Sequence, residues 1–258
     1  MKIACVQMDI DYANPQKNYE VAKKYIEECS EAGADVIVFP EMWNTGYALD
    51  VLNELADQNG EKTKSMLSSL AKHYRINIVA GSVATKKATG FYNTMYVVNR
   101  NGKIVAEYDK AHLFKLMDEH QFINEGQQRN VFELDGTICG GVICYDLRFP
   151  EWIRLHVLAG AKIMFIPAQW PKPRIDHWRI LLQARAIENQ CYIVGVNRIG
   201  SDPNNQFNGH TMVIAPWGEL LLSDNQSEGV FYVELNLNEV DSVRKTIPIF
   251  EDRRTDLY

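Results

Sequence analysis

The sequence predicts an α/β fold of stacked layers containing a mixed sheet or sheets. Short apolar runs bounded by Gly, Pro or Asn alternate with stretches whose apolar residues recur at helical spacing. Two hairpin signals, Asn99-Arg100-Asn101-Gly102 and Pro216-Trp217-Gly218, call for antiparallel neighbours, while runs joined through helices suit parallel ones. No Gly/Pro/Ser-rich stretch divides the chain, so residues 1–258 are read as one domain.

Lys2–Met8 is the first strand. A helix follows from about Asn18 to Glu31, with Ala22, Tyr25, Ile26 and Cys29 at helical spacing and Gly33 as its stop. Asp35-Val36-Ile37-Val38-Phe39 is apolar nearly throughout, the mark of a strand buried on both faces, and it ends at Pro40-Glu41. A second helix, Glu61–Tyr74, leads into the strand Ile76–Ser82. Asn93–Val98 and Lys103–Tyr108 flank the first hairpin turn, where Asn-Gly supplies positive φ. Thr137–Ile143 is a strand, Pro150–Leu158 a helix with Pro in its first turn, and Lys162–Ile166 a strand. Asp176 is placed to cap a helix running to about Asn189. Cys191–Val196 is the next strand, Thr211–Ala215 and Glu219–Leu222 form the second hairpin, and Gly229–Leu235 is the last strand.

Composition removes several classes of function. The formal charge of −6, with no local Lys/Arg cluster, lacks the electrostatic footprint of nucleic-acid binding. Hydrophobic residues make up 46% of the chain, enough for a sizeable core, and 23% charged residues is ordinary globular usage. No apolar run approaches the roughly 18–20 residues of a membrane span. The start, Met1-Lys2-Ile3-Ala4-Cys5-Val6, lacks a signal-peptide pattern. A soluble, cytoplasmic protein with neither nucleic acid nor membrane as partner is expected. Five cysteines are scattered without a C-x-x-C, which suggests neither a disulfide framework nor a zinc ribbon. Cys5 and Cys191 lie in apolar strands and Cys29 on the apolar side of a helix, where a thiol serves as a small hydrophobe. The six histidines show no ligand spacing, so no metal site is expected.

Three polar residues sit where strands end: Glu41, Lys110 after Val105-Ala106-Glu107-Tyr108-Asp109, and Cys144 after Gly140-Gly141-Val142-Ile143. Ligands of open α/β sheets gather at the carboxyl ends of strands. Cys144 stands between a glycine-rich strand and the helix opening at Pro150. Such an elbow aims free backbone N–H groups at a ligand, and a nearby helix N-terminus lowers a thiol pKa.

Phe39-Pro40-Glu41, Tyr108-Asp109-Lys110-Ala111-His112-Leu113-Phe114 and Gly141-Val142-Ile143-Cys144-Tyr145-Asp146-Leu147-Arg148-Phe149-Pro150-Glu151 resemble, in order, the three signature segments of the nitrilase, or carbon–nitrogen hydrolase, superfamily. The resemblance runs from Met1 to Tyr258 and includes Gln183-Ala184-Arg185-Ala186-Ile187-Glu188-Asn189-Gln190. It implies a four-layer α-β-β-α sandwich and a Glu41–Lys110–Cys144 triad. Amide hydrolysis needs a nucleophile, a proton shuttle and a group to hold the oxyanion. By the resemblance these are Cys144, Glu41, and Lys110 with the backbone N–H of Tyr145; no cofactor is required. Glu119 matches a second family glutamate that orients the lysine. His112 is read as a packing and hydrogen-bonding residue, and His177 shares that reading near the pocket rim.

Within the superfamily, Trp43-Asn44-Thr45-Gly46-Tyr47, Lys115-Leu116-Met117-Asp118-Glu119-His120, Gln169-Trp170-Pro171-Lys172-Pro173-Arg174 and Asn197-Arg198-Ile199-Gly200 are similar to small ω-amidases that cleave 2-oxoglutaramate. Such a substrate carries a carboxylate opposite its amide, so the pocket needs a fixed cation. Arg148, in the first helical turn after Cys144, is the first candidate, with an internal salt bridge to Glu151 or Asp146 as the competing role. Arg174 is the second, and Trp170 with Trp43 would close the pocket. Alternatives are an amidase of deaminated glutathione, an N-carbamoyl or aliphatic amidase, a nitrilase using the same triad, a Cys–His amidotransferase-type hydrolase based on His177, and a silent binding protein. The resemblance also implies a homodimer paired through a helical face, with a C-terminal tail that crosses over. Ile247-Pro248-Ile249-Phe250 and Tyr258 are the apolar tail residues a partner would cover.

Overall fold

A computed structural model of the protein describes residues 1–257, so Tyr258 lies outside the described residues. The larger sheet contains β1 (Lys2–Gln7), β2 (Val36–Val38), β3 (Asp57–Gln58), β4 (Asn77–Val79), β5 (Val83–Lys87), β6 (Gly90–Val98), β7 (Ile104–Asp109) and β16 (Gly229–Glu234). Its order is β16-β1-β2-β4-β6-β5-β3, with β7 paired to β6. The smaller sheet contains β8 (Val131–Leu134), β9 (Thr137–Gly141), β10 (Ile163–Ala168), β11 (Tyr192–Asn197), β14 (Met212–Ile214) and β15 (Leu220–Leu222). Its order is β15-β14-β11-β10-β9-β8, while β12 (Ile199–Ser201) and β13 (Gln206–Asn208) pair with each other. The helices are α1 (Pro15–Glu31), α2 (Leu52–Leu55), α3 (Glu61–Tyr74), α4 (Glu119–Phe122), α5 (Pro150–Leu158), α6 (Ile175–Asn189) and α7 (Asn238–Thr246).

Strand periodicity sorts the core into layers. Side chains alternate across a strand, so Ile3, Cys5, Val36, Val38, Met95 and Val97 join Phe132, Cys139 and Phe165 in the cluster between the sheets. Ala4, Val6, Ile37, Ile78 and Val98 point the other way, into a second cluster with Ala22 and Ile26 of α1 and Leu67 and Ala71 of α3. On the smaller sheet, Gly195 leaves the room that Trp178 and Leu182 of α6 occupy. The layers are helix, sheet, sheet, helix, the four-layer α-β-β-α sandwich. The apolar run at Val36-Ile37-Val38 is buried on both faces, between parallel neighbours β1 and β4.

Several elements differ from the sequence reading. The strand expected over Ile76–Ser82 is β4 alone, ending at Val79, and a separate strand, β5, begins at Val83 beyond Gly81, which takes φ +58°. A Cβ there would stand 1.9 Å from the Pro40 carbonyl oxygen, so glycine lets this loop lie against the segment leading to Glu41. The β5–β6 hairpin had no apolar alternation at its Lys-rich turn to show it. Asp176 caps nothing: α6 begins at Ile175 behind Arg174, which makes no side-chain cap bond, and Asp176 falls in the first turn, where its charge suits the helix dipole. Helix α7 buries only Val240 and Val243, too short a stripe to read from sequence.

Candidate active site

Glu41, Lys110 and Cys144 follow β2, β7 and β9, and the two sheets bring those strand ends together. Lys110 continues the β7 pairing, its backbone N–H donating to the Asn93 carbonyl of β6 at 2.9 Å. Cys144 opens a 3₁₀ turn, Cys144–Arg148, and takes φ +46°. A left-handed backbone costs a non-glycine residue about 1–2 kcal/mol, so the surroundings must hold the elbow in place. Asp146 does this: Oδ2 accepts from Ile143 N at 2.9 Å and the Tyr108 hydroxyl at 2.7 Å, and Oδ1 from His112 N at 2.9 Å. His112 Nδ1 sits 2.7 Å from the same oxygen, and its ring stacks on Phe149 with centroids 3.7 Å apart. His112 is thus a packing and hydrogen-bonding residue.

The charged cluster is fully buried. Lys110 Nζ donates to Glu41 Oε1 at 2.8 Å, to Glu119 Oε2 at 2.8 Å and Oε1 at 3.0 Å, and to the Tyr47 hydroxyl at 3.2 Å. Tyr47 donates to Glu41 Oε1 at 2.7 Å, and Asn93 Nδ2 bridges Glu41 Oε1 (2.9 Å) and Glu119 Oε1 (3.0 Å). Glu119, on α4, also accepts from Phe114 N at 2.7 Å. Glu41 Oε2 accepts from the backbone N–H of Gln169 at 2.9 Å. Burial lowers the Lys110 pKa, but Glu119 and Glu41 outweigh it and hold the ammonium charged. Burial raises Glu119, Lys110 pulls it back and Glu41 raises it further, leaving it above the usual carboxylate value.

Burial, then the facing Glu41 carboxylate, push the Cys144 thiol well up, against the pull of Lys110. This corrects the expectation of a lowered thiol pKa. The elbow supplies helix-type N–H groups, yet removal from water beside a carboxylate outweighs them. Cys144 thus rests as a thiol, hydrogen-bonded to the Glu41 carboxylate.

The cluster opens on a narrow cavity lined by Cys144, Tyr145, Arg148, Trp170 and Arg174 among others. Trp43 is not among them, which corrects its assignment. It is buried in the outer core, where its indole donates to the Ala80 carbonyl at 2.7 Å and its ring meets Tyr19 edge-on at 5.1 Å. Tyr47, Phe114, Met117 and Gln169 also line the cavity; the sequence carried them only as members of the segments that resemble the family, with no role assigned to them. Arg148 is half-buried rather than buried, its guanidinium 4.8 Å from the Trp170 ring centroid and Nη2 3.2 Å from Nδ1 of the exposed His177. No ion pair to Glu151 or Asp146 forms among the described residues, and Asp146 is occupied by its own four contacts. Arg174 lies over Phe114 at 5.3 Å, and its carbonyl accepts the Trp170 indole N–H at 2.7 Å. His177 is exposed and its Nδ1 meets Arg148, whereas the Cys144 thiol is hydrogen-bonded to Glu41. All five cysteines are unpaired, and no metal-holding group of His, Cys, Asp or Glu occurs among the described residues.

Comparison with known proteins agrees with this geometry. The sequence profile of the family described as Carbon-nitrogen hydrolase matches residues 2–245. The chain is 50% identical to the 2-oxoglutaramate amidase of Bacillus subtilis over 99% of its own length and 98% of that protein. It is 34% identical to Omega-amidase YafV of Escherichia coli, over 98% of this chain and 96% of that one. Among solved structures, a CN-hydrolase superfamily protein from Xanthomonas campestris, with an arsenic adduct in its active site, superposes with a TM-score of 0.92 at 26% identity, covering 99% of this chain and 97% of that one.

Proposed function

We propose that this chain, which belongs to the carbon–nitrogen hydrolase family, is an ω-amidase that hydrolyses a small carboxylated amide of the 2-oxoglutaramate kind to the acid and ammonia. The observation that carries this is one buried Glu41–Lys110–Glu119–Cys144 cluster opening on a small cavity flanked by two arginines. Neither Arg148 nor Arg174 is ion-paired within the cavity wall, so both cations are available to a substrate carboxylate.

Cys144 Sγ attacks the amide carbon and its proton passes to Glu41. Glu41 Oε1 already accepts from Lys110, Tyr47 and Asn93, so Oε2 is the oxygen left to take that proton. Moving a proton from thiol to carboxylate leaves the net charge of the buried cluster unchanged, which keeps the step affordable in a dry site. The oxyanion is held by the backbone N–H of Tyr145 and by Lys110. The lysine's three hydrogens are engaged at rest, and its 3.2 Å bond to Tyr47, the longest it makes, is the one a substrate oxygen displaces. Glu41 returns its proton to the departing ammonia, leaving a thioester, and then activates the water that cleaves it. Glu119 keeps Lys110 charged and aimed. Arg148, with Arg174 beside it, takes the carboxylate at the far end.

The test is an ammonia-release screen. 2-Oxoglutaramate and succinamate should be hydrolysed, with aliphatic amides, nitriles and deaminated glutathione far behind. Arg148→Ala should erase most of the preference for the carboxylated amide, and Arg148→Lys restore part of it, because an ammonium lacks the planar fork. A higher kcat/KM on nitriles or deaminated glutathione would overturn the substrate assignment while leaving the triad.

A homodimer is part of the same reading. The outer face formed by α5 and α6 exposes Leu155, Leu158, Ile180 and Ile187, beside Trp217 and Ile247. A chain does not normally leave so large an apolar face in water. Residence in the cytoplasm is supported by the five unpaired thiols, the usual state of cysteines in a reducing compartment.

A further inference from the structure

The reacting groups are divided between the sheets: Glu41 and Lys110 follow strands of the larger, Cys144 follows β9 of the smaller. The distance from base to nucleophile therefore depends on how the sheets are registered. Apolar contacts between the inner faces are non-directional, so directional polar ties beside the site must set it. Asp146 is one such tie, joining the Tyr108–His112 segment to the Cys144 elbow. The Glu41 side has another, built from Gln169 and Arg198.

Gln169 follows β10. Besides its N–H bond to Glu41 Oε2, its Nε2 donates to the backbone oxygens of Glu41 at 2.9 Å and Met42 at 3.4 Å. Its Oε1 accepts from Arg198 Nη1 at 3.2 Å. Arg198 follows β11 and is fully buried, yet it reaches the segment that follows β1 of the larger sheet: Nη2 donates to Asp9 Oδ1 at 2.8 Å and the Ile10 carbonyl at 3.0 Å. Its guanidinium lies 4.6 Å from the Phe207 ring centroid, and Nε donates to the Ile199 carbonyl at 3.0 Å. Arginine only donates and carbonyls only accept, so a single orientation of the Gln169 amide satisfies all of these partners. Burying a guanidinium is costly until its partners offset it, and here those partners come from segments that follow strands of both sheets.

We propose that Arg198 is a positioning residue that fixes Gln169 across the two sheets and so aims Glu41 Oε2 at the Cys144 thiol. This rests on Glu41 being the base for Cys144. The experiment measures ammonia release from 2-oxoglutaramate by Arg198→Met, Arg198→Lys, Gln169→Met and the Arg198→Met/Gln169→Met double variant. A displacement of well under an ångström at the base should lower kcat by about 10–100-fold in Arg198→Met, with KM within about threefold. The acid limb of kcat/KM should move to higher pH, since a carboxylate with a weakened donor binds its proton more readily. Arg198→Lys should recover only part, and the double variant should lose no more than the worse single one.

Losses that multiply, a loss carried by KM, or an unmoved acid limb would overturn the proposal. If Arg198→Met does not fold, Gln169→Met decides alone: wild-type kcat and pH profile there would overturn it. A wild-type protein silent on 2-oxoglutaramate would instead sink the ω-amidase reading. The same variants would then be compared by their rate of Cys144 alkylation with iodoacetamide, expected to differ from that of the wild type because Glu41 sets the thiol's ionisation; an unchanged rate would overturn the positioning role.

Discussion

In the proposed mechanism Glu41 takes its proton from a thiol that the glutamate's own charge helps to keep protonated. Burial contributes most to the raised Cys144 pKa and Glu41 comes next. The sign of Glu41→Gln follows. Removing an anion that faces the thiol favours its ionised form, so the thiol should titrate at lower pH than in the wild type, while turnover falls by about 10²-fold or more for want of a base. Thiolate absorbance followed against pH, together with steady-state ammonia release, checks both halves. A thiol midpoint that rises, or turnover that persists, would contradict the roles assigned to the pair. The residue types were legible because three short segments carry them in order; the protonation state was not, since it depends on groups brought together from four distant segments.

At the scale of elements, the Cys144 elbow is held by a carboxylate that accepts four contacts in the interior. Asp146→Asn preserves the volume but turns one end of the group into a donor facing other donors. The expected cost is about 2–4 kcal/mol of stability, seen as a lowered Tm, with a fall in kcat as the strained cysteine relaxes. An unchanged Tm would mean that the elbow is held by packing alone. Local elements announced themselves where pattern was strong: Glu61–Tyr74 and Pro150–Leu158 form the helices the sequence marks. The break between β4 and β5 did not, because it answers to the Pro40 carbonyl packed against Gly81, a contact far off in sequence.

At the scale of the whole molecule, the exposed faces of α5 and α6 and the neighbouring Trp217 predict self-association. Light scattering at micromolar concentration should find a dimer, and the Ile187→Glu/Trp217→Glu double variant should shift it toward monomer while leaving the secondary structure intact. A wild-type monomer would count against the pairing, and an unaltered dimer in the variant would place it on another face. Of the tail expected to cross over, Tyr258 lies outside the described residues, and Ile247 is half exposed, with 46% of its surface open to solvent, beside that face.

The sequence by itself determined the layered α/β class and the order of most elements, and it singled out Glu41, Lys110 and Cys144 as candidates that the fold brings together, because hydrophobic period and short motifs are written in consecutive residues. Tertiary structure decided the rest. Trp43 and Trp170 are equally plausible pocket residues on paper, yet one is sealed behind β4 and the other lines the cavity. Tyr47, Asn93 and Gln169 acquire their partners only when two sheets stack and bring separate strand ends within hydrogen-bond reach. Strand pattern specifies which face of each sheet is buried; which polar groups then meet at the rim depends on the register between the sheets, and no local stretch of sequence encodes that.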